Sequence, residues 1–247
     1  MKMNSMRTLI LVSSMLLALP LLTGCAGARN PQDPLETWNR GVYKFNDTID
    51  KAAIKPVAKG YDAVMPETGK IMISNFISNL DDLIVTANDL LQLKFNQAAS
   101  DGSRFLINST FGLGGLFNVA SRLKKHNEDF GQTLGYWGVG TGPYLVLPFL
   151  GSSSFRDGVG LYIDTTESLP TYIESIPTRN KYYIGVFIHQ RAAVLDQEKV
   201  LDEAALDRYA MMRDGYFMYR KNLVYDGDPP RDRYYEDEDE EFDETEQ

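Results

Sequence analysis

The sequence predicts a mainly α body built as one domain, preceded by an export signal and followed by an acidic tail. Three observations carry that prediction. Apolar residues recur at steps of three and four through five separate stretches, which is the helical period. No long segment alternates apolar and polar residues as a half-buried strand would. No run beyond residue 25 approaches the ~20 apolar residues of a membrane-spanning helix.

Residues 1–24 have the layout of a secretory signal: Lys2 and Arg7, an apolar run over 9–22, then the small residues Thr23 and Gly24. Leu22-Thr23-Gly24-Cys25 reads as a lipobox, with cleavage before Cys25, the only cysteine of the chain. The mature protein is then a lipoprotein, carrying diacylglycerol on the thiol and an acyl chain on the new α-amine of Cys25. Three chains anchor far more firmly than one, each buried methylene contributing ~0.8 kcal/mol. The competing reading is an ordinary secreted protein with one free thiol. Ala26, where an aspartate would favour inner-membrane retention, points to the outer membrane. With no second cysteine, disulfides and cysteine-based metal sites are excluded.

Residues 25–32 form a lipidated, polar tether, and the domain is placed over 33–225. Asp33-Pro34-Leu35-Glu36 reads as a helix start, with Asp33 as N-cap, Pro34 at the first position and Glu36 closing a capping-box-like pair. Leu35, Trp38, Val42, Phe45, Ile49 and Ala53 continue it, and Pro56 is expected to end it. A second helix is predicted from about Pro66 to Leu93, on the stripe Ile73, Phe76, Ile77, Leu80, Leu83 and Ile84. Others are predicted over 97–111, 181–200 and 206–224. Two stretches mix glycine with large apolar residues: 111–117, and 131–151 with its Gly138, Gly140 and Gly142. Residues 226–247 are predicted to be a disordered tail.

Net charge is −9 over 247 residues, but the tail alone carries 12 acidic and 2 basic side chains. The body is therefore close to neutral, and nothing favours a nucleic-acid partner. The residues do not assemble an enzyme. His126 and His189 lack metal-ligand companions in sequence, so both read as structural or exposed. Gly138-x-Gly140-x-Gly142 has the wrong spacing for a dinucleotide fingerprint, and no Gly-x-Ser-x-Gly elbow occurs. The acidic neighbours Asp81/Asp82 and Glu128/Asp129 read as solvated. No cofactor and no metal are expected.

Several stretches together resemble the MlaA (VacJ) family of outer-membrane lipoproteins. They are Asp33-Pro34-Leu35-Glu36 with Trp38-Asn39-Arg40, Tyr43 and Phe45-Asn46; the run from Arg104 through Phe111-Gly112-Leu113-Gly114-Gly115-Leu116-Phe117; and Glu128-Asp129-Phe130-Gly131-Gln132-Thr133-Leu134-Gly135. The last continues through Trp137-Gly138-Val139-Gly140 and Gly142-Pro143-Tyr144-Leu145-Val146-Leu147-Pro148 to Arg156-Asp157. The resemblance implies a single helical ring-like domain in the outer membrane, lipid-anchored and facing the periplasm, associated with a trimeric porin. It implies an amphipathic channel through which phospholipids leave the outer leaflet for a soluble periplasmic carrier. The rivals are a structural lipoprotein that braces porins without moving lipid, and a lipid-hydrolysing lipoprotein.

On that reading the channel's movable wall falls at 131–151, with Gly138, Gly140, Gly142 and Tyr144 as hinge or lining residues. The alternative is that these glycines only permit tight packing. Phe45, Asn46 and Asp47 are candidates for the channel mouth, against ordinary helix packing. Arg213, Arg220 and Lys221, with Arg208, make the last helix basic and are candidates for headgroup or carrier contact, against a solvated face.

Overall fold

The computed structural model describes residues 30–198 and 205–230. The export signal, Cys25 and most of the acidic tail lie outside the described residues. Eight α-helices are described: α1 (Glu36–Ile49), α2 (Lys55–Val64), α3 (Glu67–Leu91), α4 (Phe95–Phe111), α5 (Phe130–Tyr136), α6 (Phe155–Glu167), α7 (Ile176–Ala193) and α8 (Arg208–Val224). Between α5 and α6 lies an antiparallel hairpin of β1 (Tyr144–Leu147) and β2 (Gly151–Ser154), paired Tyr144 to Ser154 and Leu147 to Gly151. No described helix is long and apolar enough to cross a membrane.

The packing closes on itself. α1 leads through a π-helical turn, Asp50–Ile54, into α2; α2 packs on α7, α7 on a 3₁₀ turn (Leu169–Tyr172), and that turn on α6. α6 meets β2, and β1 returns to α1, so the architecture is mainly α and ring-like. The α3/α4 pair joins this ring through α5, and α8 lies against α5 and β2.

Pro56 does not end the first helix as its sequence position predicts. The wide π turn absorbs the break, and Pro56 falls in the first turn of α2, where its missing N–H is not needed. Arg191 of α7 braces this junction with Nε and Nη2 on the Asp50 carboxylate, at 2.8 and 2.7 Å. Asp33 is not an N-cap either. Leu35 occupies that position, while Asp33 is buried and accepts from Asn39 Nδ2 at 2.8 Å and from the Tyr209 hydroxyl.

Besides α2, which lies beyond the stop expected at Pro56, the apolar period missed α5 and α6, both glycine-bearing. Both carry an N-cap: Asp129 accepts from the Gln132 N–H at 2.8 Å, and Ser154 from the Asp157 N–H at 3.2 Å. They cross closely because Gly131 and Gly160 face each other. A Cβ on Gly160 would lie 2.3 Å from the Gly131 nitrogen.

The interior is polar. Of the apolar residues among those described, eight are buried, and four of these are alanine. α4 shows the inversion most clearly. Its only charged residues, Asp101 and Arg104, are both buried, whereas Phe95, Leu106 and Phe111 are exposed. Asp101 holds His126 through Nδ1 at 2.6 Å, and Arg104 Nη1 donates to Leu123 O at 2.9 Å, so the 118–126 strand of chain is strapped over the pair. α3 likewise buries Asn79, Asp82, Asn88 and Asp89 while Leu90 and Leu91 face outward.

Candidate functional site

The glycine-rich segment 131–151 is three structures rather than one movable wall: helix α5, the loop 137–143, and the first strand with its turn. The hairpin is tied down. Asn39 and Asn46 stand seven residues apart on one face of α1, and both use their amides on β1. Asn39 donates to Tyr144 O and accepts from Val146 N, each at 2.9 Å. Asn46 donates to Leu147 O and accepts from Phe149 N, again at 2.9 Å. The exposed edge of β1 is thereby paired, and Phe45 packs edge-on against Phe149 at 5.5 Å between centroids.

Those contacts place the first-helix candidates. Phe45 and Asn46 latch the hairpin turn, and Asp47 pairs with Lys51 at 2.7 Å. Tyr144, expected at the channel, is instead core: it is 1% exposed and packs with Val146 and Tyr209. An alternating Tyr-Leu-Val-Leu strand has to bury one face, and here Tyr144 and Val146 take it.

The loop 137–143 retains more freedom. Gly138 and Gly142 have φ of +87° and +71°, so glycine is needed there by the backbone itself. Gly140 has no such constraint, and a Cβ added to it would meet nothing within 4 Å. Trp137 and Tyr136 flank the loop and are both exposed, with Trp137 Nε1 donating to Leu91 O at 3.1 Å.

Of the basic residues of α8, Arg213 and Arg220 point inward rather than forming a solvated row. Arg220 is 8% exposed and is held between Asp129 and Asp157, with Nη2 on Asp129 Oδ1 and Nε on Asp157 Oδ2 both at 2.9 Å. Burial raises both carboxyls, but the hydrogen bonds and charge of Arg220, with Arg156 and Tyr216 on Asp157, outweigh it and leave both below the ordinary aspartate range. Arg213 is buried too, with Nε on Asp214 at 2.8 Å and Nη1 at 3.6 Å from Asp33. Lys221 is partly exposed and lines a cleft of about 600 Å³ between α8 and the 138–141 loop.

The acidic neighbours are not solvated pairs. Asp82 is fully buried against Lys125 Nζ at 2.8 Å. Glu128 is buried between Lys94 at 2.9 Å and Gln92 at 2.8 Å. Asp89 is 0% exposed, and neither of its carboxylate oxygens has a hydrogen-bond partner among the described residues. Burial, and then the nearby Asp101 and Glu128, push its carboxyl up to about 7. Asp164, which accepts from Phe130 N at 2.8 Å and Asn88 Nδ2 at 3.2 Å, is raised by burial to about 6. Buried His189 has Tyr61 and Ser74 hydroxyls on its two ring nitrogens at 2.9 and 2.8 Å, tying α2, α3 and α7 together. Both histidines are thus structural, as their sequence settings predict. Among the described residues no group of three acidic, histidine or cysteine side chains is arranged to hold a metal.

Comparison with known proteins completes the site. The sequence matches the family described as MlaA lipoprotein over residues 31–223. It is 34% identical over 228 residues to the intermembrane phospholipid transport system lipoprotein MlaA of Escherichia coli, covering 87% of this chain and 89% of that protein. The protein of the same name from Haemophilus influenzae is 31% identical over 235 residues, covering 90% and 93%. A solved structure reported as the structural basis for maintenance of bacterial outer membrane lipid asymmetry superposes with a TM-score of 0.69 at 33% identity, over 78% of this chain and 98% of that one. The chain belongs to the MlaA lipoprotein family.

Proposed function

We propose that this protein is an outer-membrane lipoprotein that removes mislocalised phospholipids from the outer leaflet through an amphipathic route and hands them to a soluble periplasmic carrier. The observation that carries this reading is the inverted distribution of side chains. A body whose helices pack through buried aspartates, asparagines and arginines, with phenylalanine, leucine and tryptophan outside, suits an apolar surrounding. In water each exposed methylene would cost ~0.8 kcal/mol, whereas a bilayer takes up those side chains and leaves the polar ones paired within. Such a body lies in the membrane without a spanning helix, anchored through acyl chains on Cys25. Relatives named as phospholipid transport lipoproteins support the cargo. Association with a trimeric porin belongs to the same proposal.

The two tryptophans test the immersion, because Trp38 and Trp137 are both exposed. In vesicles containing brominated phospholipid, the fluorescence of each is expected to be quenched, as read in the Trp38→Phe and Trp137→Phe single variants. Emission unaffected by bromine at both positions would place these surfaces in water. The glycine loop tests the route. Gly140→Val has open space and no backbone strain, so protein level is expected to stay normal while surface phospholipid rises. Gly138→Val changes both, since its positive φ adds roughly 1–2 kcal/mol of strain. Normal clearance in Gly140→Val would remove the loop from the route.

A further inference from the structure

The segment strapped across α3 and α4 ahead of α5 is held by its backbone and by its inward side chains. Ser100 Oγ donates to Lys124 O at 2.8 Å and Arg104 Nη1 to Leu123 O at 2.9 Å. Asp101 accepts from the backbone N–H of His126 at 3.1 Å and from its Nδ1 at 2.6 Å. Lys125 Nζ turns in to Asp82 Oδ1 at 2.8 Å. Two cations are left over. Arg122 and Lys124 are exposed, and neither side chain has a hydrogen-bond or ion-pair partner among the described residues. The acids around the strap are already engaged: Asp81 and Asp82 by Lys125, Asp101 by His126 and Glu128 by Lys94.

The chain leaves α8 beside this strap. Lys94 Nζ holds both Glu128, two residues past His126, at 2.9 Å and Asp226, two residues past α8, at 2.5 Å. The exit is fixed there by Gly227 N–H on Asn222 O and Asp228 N–H on Tyr225 O, each at 2.9 Å. Residues 231–247 lie outside the described residues, and their sequence carries nine acids and no base over 236–246. From Lys94 to Ser100, which holds Lys124, is six residues of α4, about 9 Å along its axis. The six residues from Pro230 to Glu236 reach up to about 20 Å.

We propose that the acidic segment 236–246 docks in cis on the strap, its carboxylates on Arg122 and Lys124, so that the tail closes over the α3/α4 pair. One exposed ion pair is weak. Tethering makes this contact intramolecular, and several carboxylates exchange on the same two cations. The docked tail keeps other anions off the strap, and ionic strength releases it.

The test is carbodiimide coupling of the purified, lipidated full chain in detergent, which joins a lysine amine to a touching carboxylate, followed by peptide mass spectrometry. Lys124 is expected to join carboxylates of 236–246 far more often than does Lys59, an exposed lysine of α2 without a partner among the described residues. Arg122→Glu is expected to lower the Lys124 links about fivefold, the scale of one exposed ion pair. Arg122 is exposed and unpartnered, so the variant keeps its fold. In the parent, about 0.5 M NaCl, which cuts the screening length to roughly 4 Å, is expected to lower them as well. Mixing the chain with an isotopically heavy copy is expected to give links within one isotope only. Mixed-isotope links would overturn docking in cis and put the tail on a second copy. Links no more frequent at Lys124 than at Lys59, or unchanged in Arg122→Glu, overturn the site.

Discussion

Replacing Arg220 with methionine is expected to destabilise the protein by about 3 kcal/mol, the low end of the cost of breaking a buried ion pair, because Asp129 is partly exposed. The substitution keeps most of the side-chain volume but leaves Asp129 and Asp157 facing each other without their shared cation. Arg156 and Tyr216 still reach Asp157, whereas Asp129 keeps only Gln132. Chemical denaturation in detergent measures the loss. The combination with Asp129→Asn is expected to recover part of it, because part of the cost is the partly exposed Asp129 carboxylate left without its cation. The pH dependence follows from the sign of the shifts. Both carboxyls are depressed in the folded state, so their contribution is present above the ordinary aspartate pKa of about 4 and is lost as pH falls through the folded values. A loss below 1 kcal/mol in Arg220→Met would mean that the pair is solvated and that α5, α6 and α8 are joined by something else.

Asp89 is expected to act in the opposite sense. Its carboxyl is raised to about 7, so its contribution to stability is full below the unfolded value near 4 and is lost as pH rises through 7. Above that, the native state carries a buried charge with no hydrogen-bond partner among the described residues. Asp89→Asn is therefore expected to match the parent near pH 4 and to exceed it by on the order of 2–4 kcal/mol at pH 8. Thermal melting across that range checks it. A variant less stable than the parent at pH 8 would show that ionised Asp89 is held by a partner and is not a strained charge.

The helical frame was legible because periodicity survives whichever way a helix faces. α3, α4 and α8 lie within about two residues of their predicted limits. The direction of those stripes was not legible. Trp38 and Phe45 on α1, and Leu90 and Leu91 on α3, are exposed, while Asn39, Asp82 and Asp89 are buried. A hydrophobic stripe names the face that avoids water, and in a membrane that face is the outside. α5 and α6 were missed because Gly131, Gly135, Gly158 and Gly160 dilute the apolar period. Their caps were visible, however: Asp129 three residues before Gln132, and Ser154 three before Asp157. The inward turn of Arg213 and Arg220 could not be read from α8 alone. Their partners Asp33, Asp129 and Asp157 lie between 63 and 180 residues away, and only the closed fold brings them near.

The most direct test of the central claim is the amount of phospholipid in the outer leaflet of cells lacking this gene, read through outer-leaflet-specific acylation of lipopolysaccharide. The account predicts a rise that the parent protein reverses and Cys25→Ala does not. No rise in cells whose outer membrane is intact would contradict it, and would leave a lipoprotein that braces porins without moving lipid.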